Sequence, residues 1–241
     1  MECAVLFSGG SDSTLAAAMA AEQFTLVHLL TMNREGYYRA ELETEENFQR
    51  LIRVYGKDRF QRKIIDVNYL HEELKRNPPL TKNTKFGLTK VALSFAKISL
   101  HGAAARYCLQ NHVSLVFDGA VPYMYLYPDQ NPRIGGRLYK KFYQSLGLRY
   151  ESPVAALSLR VEELLFDRAI TPSPTMRGTT RDRQVFYAEQ IIFALWLKSS
   201  IACFGYRAHR RRLEAMYTDR LTWLKTRILA ENTPHAVASI S

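Results

Sequence analysis

The residues with the clearest chemical potential stand near the start of the chain, where Ser-Gly-Gly-Ser-Asp-Ser occupies positions 8–13. An apolar run precedes these residues and an alanine-rich helical pattern follows them. Two adjacent glycines permit backbone conformations that other side chains forbid, and the first N–H groups of a helix have no partner within it. Because these groups and the helix dipole attract negative charge, the pattern predicts a loop that binds phosphate or pyrophosphate.

The side chains of this loop add hydroxyl groups and one carboxylate. Ser8, Ser11 and Ser13 can donate further hydrogen bonds to phosphate oxygens. Asp12 can cap the helix or help to hold a magnesium ion, and either role favours its ionised form. The competing interpretation is an ordinary tight turn with a serine N-cap. The position of the loop favours a ligand site, since it joins the first strand of a predicted α/β sheet to the first helix.

Short apolar runs alternate with helical patterns over about the first 170 residues, which is typical of βα units and a parallel sheet. The predicted strands are 4–7, 24–30, 63–67, 113–117 and 150–156. The predicted helices are 13–21, 41–54, 88–110, 137–145, 160–169, 184–198 and 208–229. The sequence therefore predicts an α/β fold with an open, parallel, five-stranded sheet, helices on both faces and a helical C-terminal extension.

Two prolines, Pro172 and Pro174, mark a predicted domain boundary, because proline cannot continue a helix. Residues 1–172 form the predicted α/β domain and residues 173–241 the basic helical extension. From residue 176 onward, 11 lysines and arginines stand against 5 aspartates and glutamates. The excess positive charge of the chain, +10 overall, is therefore concentrated towards its C-terminal end.

Composition limits the classes of protein that remain. With 47% hydrophobic and 23% charged residues among 241, the chain is typical of globular proteins and unlike disordered or low-complexity ones. Cys3, Cys108 and Cys203 are too widely spaced for a disulfide framework or a local zinc site. No apolar run is long enough to span a bilayer, and no signal peptide is apparent. We expect a cytoplasmic protein with free thiols, no membrane contact and a homo-oligomeric state.

The stretch from Phe7 to Ser13 resembles the Ser-Gly-Gly-x-Asp-Ser signature of the PP-loop (N-type) ATP pyrophosphatases, in the adenine nucleotide alpha hydrolase-like superfamily. This superfamily includes NAD synthetase, tRNA-thiolating enzymes and 7-cyano-7-deazaguanine synthase. The resemblance implies a Rossmann-like (HUP-type) domain that binds ATP and Mg²⁺. It also implies that a substrate oxygen attacks the α-phosphate, that pyrophosphate leaves, and that nitrogen or sulfur then displaces AMP from the adenylylated intermediate.

The nucleotide contacts that the resemblance implies come from the loop, the end of the second strand and the turn after the fourth strand. In chain order they are Phe7, Ser8, Gly9, Gly10, Ser11, Asp12, Ser13, Leu30, Thr31, Met32, Asp118 and Gly119. Asp12 is also the implied magnesium ligand, and Asp12 and Ser13 are catalytic candidates. For the turn after the fourth strand, a plain strand-terminating turn is the alternative.

Lys97 is the third catalytic candidate, because a lysine near polyphosphate supplies charge that backbone amides do not. Helical spacing places Lys97 and His101 one turn apart on the same face. For His101, a histidine with ordinary partners at the helix surface is favoured over a catalytic role. Similar PP-loop proteins carry Cys-x-x-Cys-Lys here, but Leu93 and Ala96 stand in place of the cysteines, which argues against metal or cysteine-dependent sulfur chemistry at this point.

Two further segments are candidates for substrate binding. A tyrosine-rich segment after the fourth strand can stack its rings on a heteroaromatic substrate, and it supplies Tyr123, Asp129 and Gln130. Packing of a half-buried edge strand is the alternative there. A second segment can pair its guanidinium groups with phosphate oxygens or remain a solvated loop, and it supplies Arg177, Arg181 and Arg183.

The basic C-terminal residues can bind an RNA backbone, an acidic partner or only solvent, and they include Arg210, Arg211, Arg212, Arg220, Lys225 and Arg227.

We predict an ATP-dependent adenylylating enzyme that forms a C–N or C–S bond on a small, nucleobase-like substrate. The first alternative is a tRNA-modifying, thiolating enzyme whose basic C-terminal helices bind the tRNA. The second is a nucleotide-binding regulatory protein that does not turn ATP over.

Overall fold

Five parallel strands form the central sheet in a computed structural model, which describes residues 1–33, 40–76, 92–121, 135–157, 160–175, 207–208, 210–211 and 214–231. The strands are β1 (Glu2–Leu6), β2 (Leu26–Asn33), β3 (Phe60–Asp66), β4 (Leu115–Phe117) and β5 (Arg149–Glu151). Their order across the sheet is β3-β2-β1-β4-β5, and every neighbouring pair is parallel.

The strand order changes direction between β1 and β4, since β2 and β3 extend the sheet to one side and β5 to the other. Val5 of β1 pairs with Phe117 of β4, so the chain leaves both strands side by side at the same edge of the sheet. Open parallel sheets bind ligands beyond the carboxyl ends of their strands at such a point. The loop at residues 8–13 and the turn at residues 118–119 both lie there.

Helices cover both faces of the sheet. They are α1 (Ser11–Gln23), α2 (Ala40–Tyr55), α3 (Asn68–Arg76), α4 (Ala92–Gln110), α5 (Arg137–Gln144), α6 (Val161–Asp167) and α7 (residues 214–231). Buried side chains of α1, α2 and α6 share one hydrophobic cluster, and those of α3, α4, α5 and α7 share the other. Successive residues of β1 alternate between the two clusters, with Cys3 and Val5 in the first and Ala4 in the second.

Helix α7 packs into the same core as the sheet. Leu224 of α7 approaches Gly102 of α4 so closely that a Cβ at position 102 would lie 2.6 Å from the Leu224 Cδ2. Arg227 of α7 forms an ion pair with Glu73 of α3 at 3.6 Å. These contacts join α7 to α3 and α4, while the domain boundary near residue 172 stays a prediction.

The structure confirms the predicted α/β fold, with its five-stranded parallel sheet, helices on both faces and helical C-terminal region. All five predicted strands differ in their limits from the observed ones: β1 begins at Glu2, β3 at Phe60 and β4 at Leu115, instead of at residues 4, 63 and 113. Strand β2 continues to Asn33 instead of ending at Leu30. The predicted strand 150–156 is a strand only over Arg149–Glu151, because Pro153 has no N–H to donate and opens a 3₁₀ turn over Pro153–Ala156.

Helix α3 was not predicted from the sequence. It begins where the Asp66 carboxylate accepts the backbone N–H of Asn68 at 2.7 Å, and it buries Leu70 and Leu74 against α4. The predicted helix 184–198 lies outside the described residues. No helix in the described part of the chain is long and apolar enough to cross a membrane.

Two of the three thiols lie within the described residues, and both are free and buried. Cys3 is on β1 and Cys108 on α4. Burial raises the pKa of each thiol to about 12, so neither is a reactive thiolate at neutral pH.

Candidate functional site

The loop between β1 and α1 has the geometry of an anion site. Gly9 adopts a left-handed conformation, with φ +79°, and Gly10 is the N-cap of α1 without a side-chain cap. Ser8 and Gly10 are exposed, whereas Gly9 is buried. Because glycine has no side chain, Gly10 does not cap the first turn of α1. The positive end of the helix can therefore accept an anion.

The hydroxyl of Ser13 holds the loop together from inside. Its Oγ accepts the backbone N–H of Ser8 at 3.2 Å and donates to the carbonyl of Gly10 at 3.0 Å. The Thr14 hydroxyl donates to the same carbonyl at 2.9 Å. Ser13 is buried and engaged within the loop, while the exposed Ser8 lies 3.1 Å from it, Oγ to Oγ. The predicted catalytic role of Ser13 stays a prediction, and these contacts give it a structural one.

Helix α2 supports the loop from the side. The Nδ2 of Asn47 donates to the Gly9 carbonyl at 2.7 Å, and the Oδ1 of Asn47 accepts from the Arg50 Nη1 at 2.9 Å. Arg50 also pairs with Glu46 at 2.5 Å. Sequence reasoning missed Asn47 and Arg50. The available signal was helical spacing, which places the polar Asn47 one turn before Leu51, a residue of the core.

The turn after β4 presses against the first turn of α1. A Cβ at Gly119 would lie 2.7 Å from both the carbonyl carbon of Asp12 and the nitrogen of Ser13, so only glycine fits without a shift of backbone. The preceding Asp118 is buried, and its carboxylate accepts the Tyr150 hydroxyl at 2.5 Å and the Ala120 N–H at 3.1 Å. Asp118 is therefore engaged with the turn and with β5.

The environment of Asp12 disfavours the ionised form of its carboxyl group. Burial, together with the nearby carboxylate of Glu162 on α6, raises the pKa of Asp12 to about 6. The carboxyl group is therefore harder to ionise than that of a free aspartate, and a cation beside it would favour the ionised form. Among the described residues there is no group of three or more potential metal ligands, and the role of Asp12 as a magnesium ligand stays a prediction.

Residues 30–32 lie within β2, alongside the start of the loop. Thr31 donates through Oγ1 to the Phe7 carbonyl at 3.0 Å, and the Phe7 N–H donates to the Leu30 carbonyl at 2.9 Å. The side chains of Leu30, Thr31 and Met32 are all buried. Contact between these residues and an adenine ring therefore depends mainly on their backbone groups, and it stays a prediction.

His101 is a core residue and not a surface one, contrary to expectation. It is fully buried, its ring stacks on that of Tyr139 with centroids 3.6 Å apart, and its Nδ1 lies 3.2 Å from the Tyr143 hydroxyl. Burial and the nearby charge of Lys97 hold the pKa of His101 well below its usual range, so the ring is neutral. Lys97 itself is partly exposed, one turn earlier in α4.

The predicted substrate-binding residues lie outside the described residues. They are Tyr123, Asp129, Gln130, Arg177, Arg181 and Arg183. Their roles stay predictions.

The basic residues of the C-terminal region differ in how accessible they are. Arg211 is exposed, and the exposed Arg210 pairs with Glu214 at 2.9 Å. Arg227 pairs with acidic residues of α3 and α7, and Arg220 is buried in the core. Only part of this positive charge is available to a partner.

The sequence model of one protein family, described as "Queuosine biosynthesis protein QueC", matches residues 2–122. The chain belongs to the QueC family. The match extends from β1 to just beyond the turn after β4, so it includes the loop at residues 8–13, the whole of α2 and Gly119. As a QueC protein with the signature at residues 7–13, the chain is a PP-loop protein of the ATP pyrophosphatase type and an ATP-dependent enzyme.

Solved structures are similar to this QueC protein in fold. A 4-thiouridine synthetase in complex with RNA and bound ATP superposes with a TM-score of 0.53 at 15% identity, over 95% of this chain and 53% of that chain. The chain therefore spans about half the length of the synthetase. A predicted subunit of tRNA methyltransferase from Methanocaldococcus jannaschii matches with a TM-score of 0.39 at 20% identity, over 70% of this chain and 76% of that chain. The search of curated proteins gave no match.

Proposed function

We propose that this QueC-family chain activates a small, nucleobase-like substrate by adenylylation and then forms a C–N or C–S bond on it. ATP binds with its phosphates at residues 8–13, a substrate oxygen attacks the α-phosphorus, and pyrophosphate leaves. A nitrogen or sulfur nucleophile then displaces AMP. The observation that carries the proposal is the uncapped start of α1 behind two glycines, placed beside Gly119 at the change of strand order.

Backbone geometry supports binding of the β- and γ-phosphates in this loop. Left-handed Gly9 turns the chain sharply between strand and helix, and the N–H groups of the first helical turn point out of the helix end. Anions held there benefit from the helix dipole without any lysine in the loop. The pyrophosphate portion is then neutralised as it departs, which is the main catalytic requirement of phosphoryl chemistry.

Asp12 and Lys97 would complement the backbone. Asp12 fits a magnesium site, because its carboxyl group is half-buried, disfavoured as a lone anion, and located in the first turn of α1. Mg²⁺ held there would supply positive charge to the phosphate groups. Lys97, with Arg177, Arg181 and Arg183, would add positive charge near the leaving group.

Carboxylates are the substrates that suit this chemistry best among nucleobase derivatives. A nitrile carbon, as in 7-cyano-7-deazaguanine, has the oxidation level of a carboxylic acid. Converting a carboxylate and ammonia into a nitrile therefore needs no redox reagent and only the removal of water. Each adenylylation lets one oxygen leave with AMP, so a first ATP would convert the carboxylate and ammonia into an amide, and a second ATP would convert the amide into the nitrile. We therefore expect a carboxylated deazapurine as the acceptor.

Isotope exchange tests the proposal directly. Labelled pyrophosphate should enter ATP only when the enzyme, Mg²⁺ and a carboxylated deazapurine such as 7-carboxy-7-deazaguanine are all present. Asp12→Asn should abolish exchange while the protein remains folded, and omission of the nucleobase is the second control. ATP binding without exchange for any carboxylated nucleobase would favour the regulatory-protein alternative, and failure to bind ATP would refute the proposal.

A tRNA substrate is the second candidate, supported by the exposed Arg210 and Arg211 at the C-terminal end. The 4-thiouridine synthetase that resembles this chain in fold is described in complex with RNA. Changing Arg210, Arg211 and Arg212 to alanine should weaken tRNA binding and lower its salt dependence, because each phosphate contact releases a counterion. An unchanged affinity and salt slope would exclude these arginines from RNA binding.

A further inference from the structure

We infer that Asn47 is a positioning residue that keeps the peptide between Gly9 and Gly10 turned for phosphate binding. The inference rests on the proposed function of the loop. Asn47 lies on α2, is completely buried, and donates from Nδ2 to the Gly9 carbonyl at 2.7 Å. It is the described side chain that reaches this carbonyl from outside the loop and α1.

Arg50 decides which way the Asn47 amide points. Its Nη1 donates to the Asn47 Oδ1 at 2.9 Å, and its guanidinium is nearly buried and paired with Glu46. A guanidinium can only donate hydrogen bonds, so it holds the amide oxygen of Asn47 towards itself. The amide nitrogen must then face Gly9, where it can only donate.

This contact fixes the orientation of a peptide that is otherwise easy to turn. In a trans peptide the C=O and the following N–H point in opposite directions. With the Gly9 carbonyl held on the α2 side, the Gly10 N–H points to the opposite side, where the Ser8 Oγ lies 3.5 Å away. Because neither glycine has a Cβ, rotation of this peptide meets little steric resistance. A rotated peptide would present a carbonyl oxygen to an anionic phosphate and repel it.

Replacement by aspartate removes the donor and keeps the shape. In Asn47→Asp the carboxylate still accepts from Arg50 but repels the Gly9 carbonyl, so the peptide loses its preferred orientation. We expect pyrophosphate and ATP to bind about tenfold or more weakly, the effect of losing one well-placed donor. Adenosine, which lacks phosphates, should bind within about twofold of the wild-type affinity. A residue with a purely structural role would not separate these ligands.

Asn111→Asp is the matched control, because Asn111 also donates through Nδ2 to a backbone carbonyl, that of Tyr107 at 2.8 Å, at the far end of α4. Affinities for pyrophosphate, ATP and adenosine are measured by calorimetry in Mg²⁺ for all variants. The Gly10 amide is followed in glycine-labelled protein without ligand by ¹⁵N NMR, and it should shift or broaden in Asn47→Asp and stay in place in Asn111→Asp.

The outcomes separate the inference from the proposed function. If wild-type protein binds neither ATP nor pyrophosphate, the proposed function fails and the inference with it. If wild-type protein binds both and Asn47→Asp binds them equally well, with an unmoved Gly10 amide, only the inference is overturned. Should Asn47→Asp not fold, Arg50→Met decides instead, since methionine cannot donate and so releases the Asn47 amide: we expect weaker pyrophosphate binding, and wild-type affinity would overturn the inference.

Discussion

Gly119 lies against the backbone of Ser13 so closely that a Cβ at position 119 would stand 2.7 Å from the Ser13 nitrogen. The contact joins the end of β4 to the first turn of α1, two segments separated by about a hundred residues of chain. It is a backbone contact, which cannot yield as the tip of a flexible side chain can. The position of the loop relative to the sheet therefore depends on the absence of a side chain at one residue.

We predict that Gly119→Ala weakens ATP binding as well as the fold. The added methyl group must push the start of α1 away from β4, which displaces the N–H groups that face the phosphates. We expect a loss of about 1–3 kcal/mol in the free energy of unfolding and about a tenfold rise in the Kd for ATP. Calorimetry gives the Kd, and denaturant titration gives the stability.

Gly102→Ala is the control for this prediction, because a Cβ there would meet Leu224 at 2.6 Å in the core between α4 and α7. It should also lower stability, by no more than Gly119→Ala because the clash is with the movable tip of a side chain, and it should not change the Kd for ATP in the folded protein. Equal effects of the two variants on ATP binding would show that the Gly119 effect is only one of stability.

We predict that Asp12→Asn stabilises the protein without ligand while it abolishes turnover. The folded protein binds a proton on Asp12 more tightly than the unfolded chain does, since the pKa is raised to about 6. The contribution of this group to stability is thus fully present below about pH 4 and lost as the pH rises through about 6. At pH 8 the variant, which cannot ionise, should be about 1–3 kcal/mol more stable than wild type.

Thermal unfolding between pH 4 and pH 8 checks the predicted direction of the change in stability with pH. The stability of the Asp12→Asn variant relative to wild type should grow as the pH rises and the difference should vanish near pH 4. Addition of ATP and Mg²⁺ should stabilise wild type at pH 8 and have less effect on Asp12→Asn. A variant that is less stable than wild type at pH 8 would contradict an unfavourable buried charge at this position.

Tyr150 and Asp118 give a third prediction. The Tyr150 hydroxyl donates to the buried Asp118 carboxylate at 2.5 Å, and burial beside that carboxylate keeps the pKa of Tyr150 well above its usual range, so it remains a donor. Tyr150→Phe should cost about 1–3 kcal/mol in the free energy of unfolding, because a buried carboxylate loses a partner. Tyr55→Phe removes a similar bond, to Glu22 at 3.0 Å at the surface, and should cost under about 1 kcal/mol. Equal costs would mean that the buried position of Asp118 is unimportant.

The fold and the loop were predictable because their signals are local. Alternating apolar runs and helical patterns reveal βα units, and the two glycines between Phe7 and Ser11 mark the turn before the first helix. Gly119 was named from the family resemblance, and the expected topology, which places its strand next to β1, favoured the same position. Its contact with the nucleotide stays a prediction. Each of these features depends on neighbours in sequence or on a single topological rule.

The parts of the site that escaped prediction depend on contacts between distant segments. Asn47 reaches Gly9 across 38 positions; helical spacing before the core residue Leu51 could indicate that Asn47 faces inwards, but not which backbone group it contacts. The pKa of Asp12 depends first on its burial and then on the carboxylate of Glu162, which lies 150 positions away. His101 was expected at a surface because its ring partners, Tyr139 and Tyr143, come from a helix whose packing the sequence does not specify.

Arg220 and Arg211 should behave in opposite ways despite their common charge. Arg220 is buried on α7, the helix that contributes Leu221 and Leu224 to the core, whereas Arg211 is exposed. Arg220→Ala should therefore lower the free energy of unfolding by about 2–3 kcal/mol through lost packing, and Arg211→Ala should change it by less than about 0.5 kcal/mol. If the chain binds RNA, Arg211→Ala should lower the salt slope by about one unit, and Arg220→Ala should leave the slope of the folded protein unchanged. Denaturant titration and binding at several salt concentrations measure both quantities, and a salt slope that responds to Arg220 would mean that this side chain reaches the RNA despite its burial.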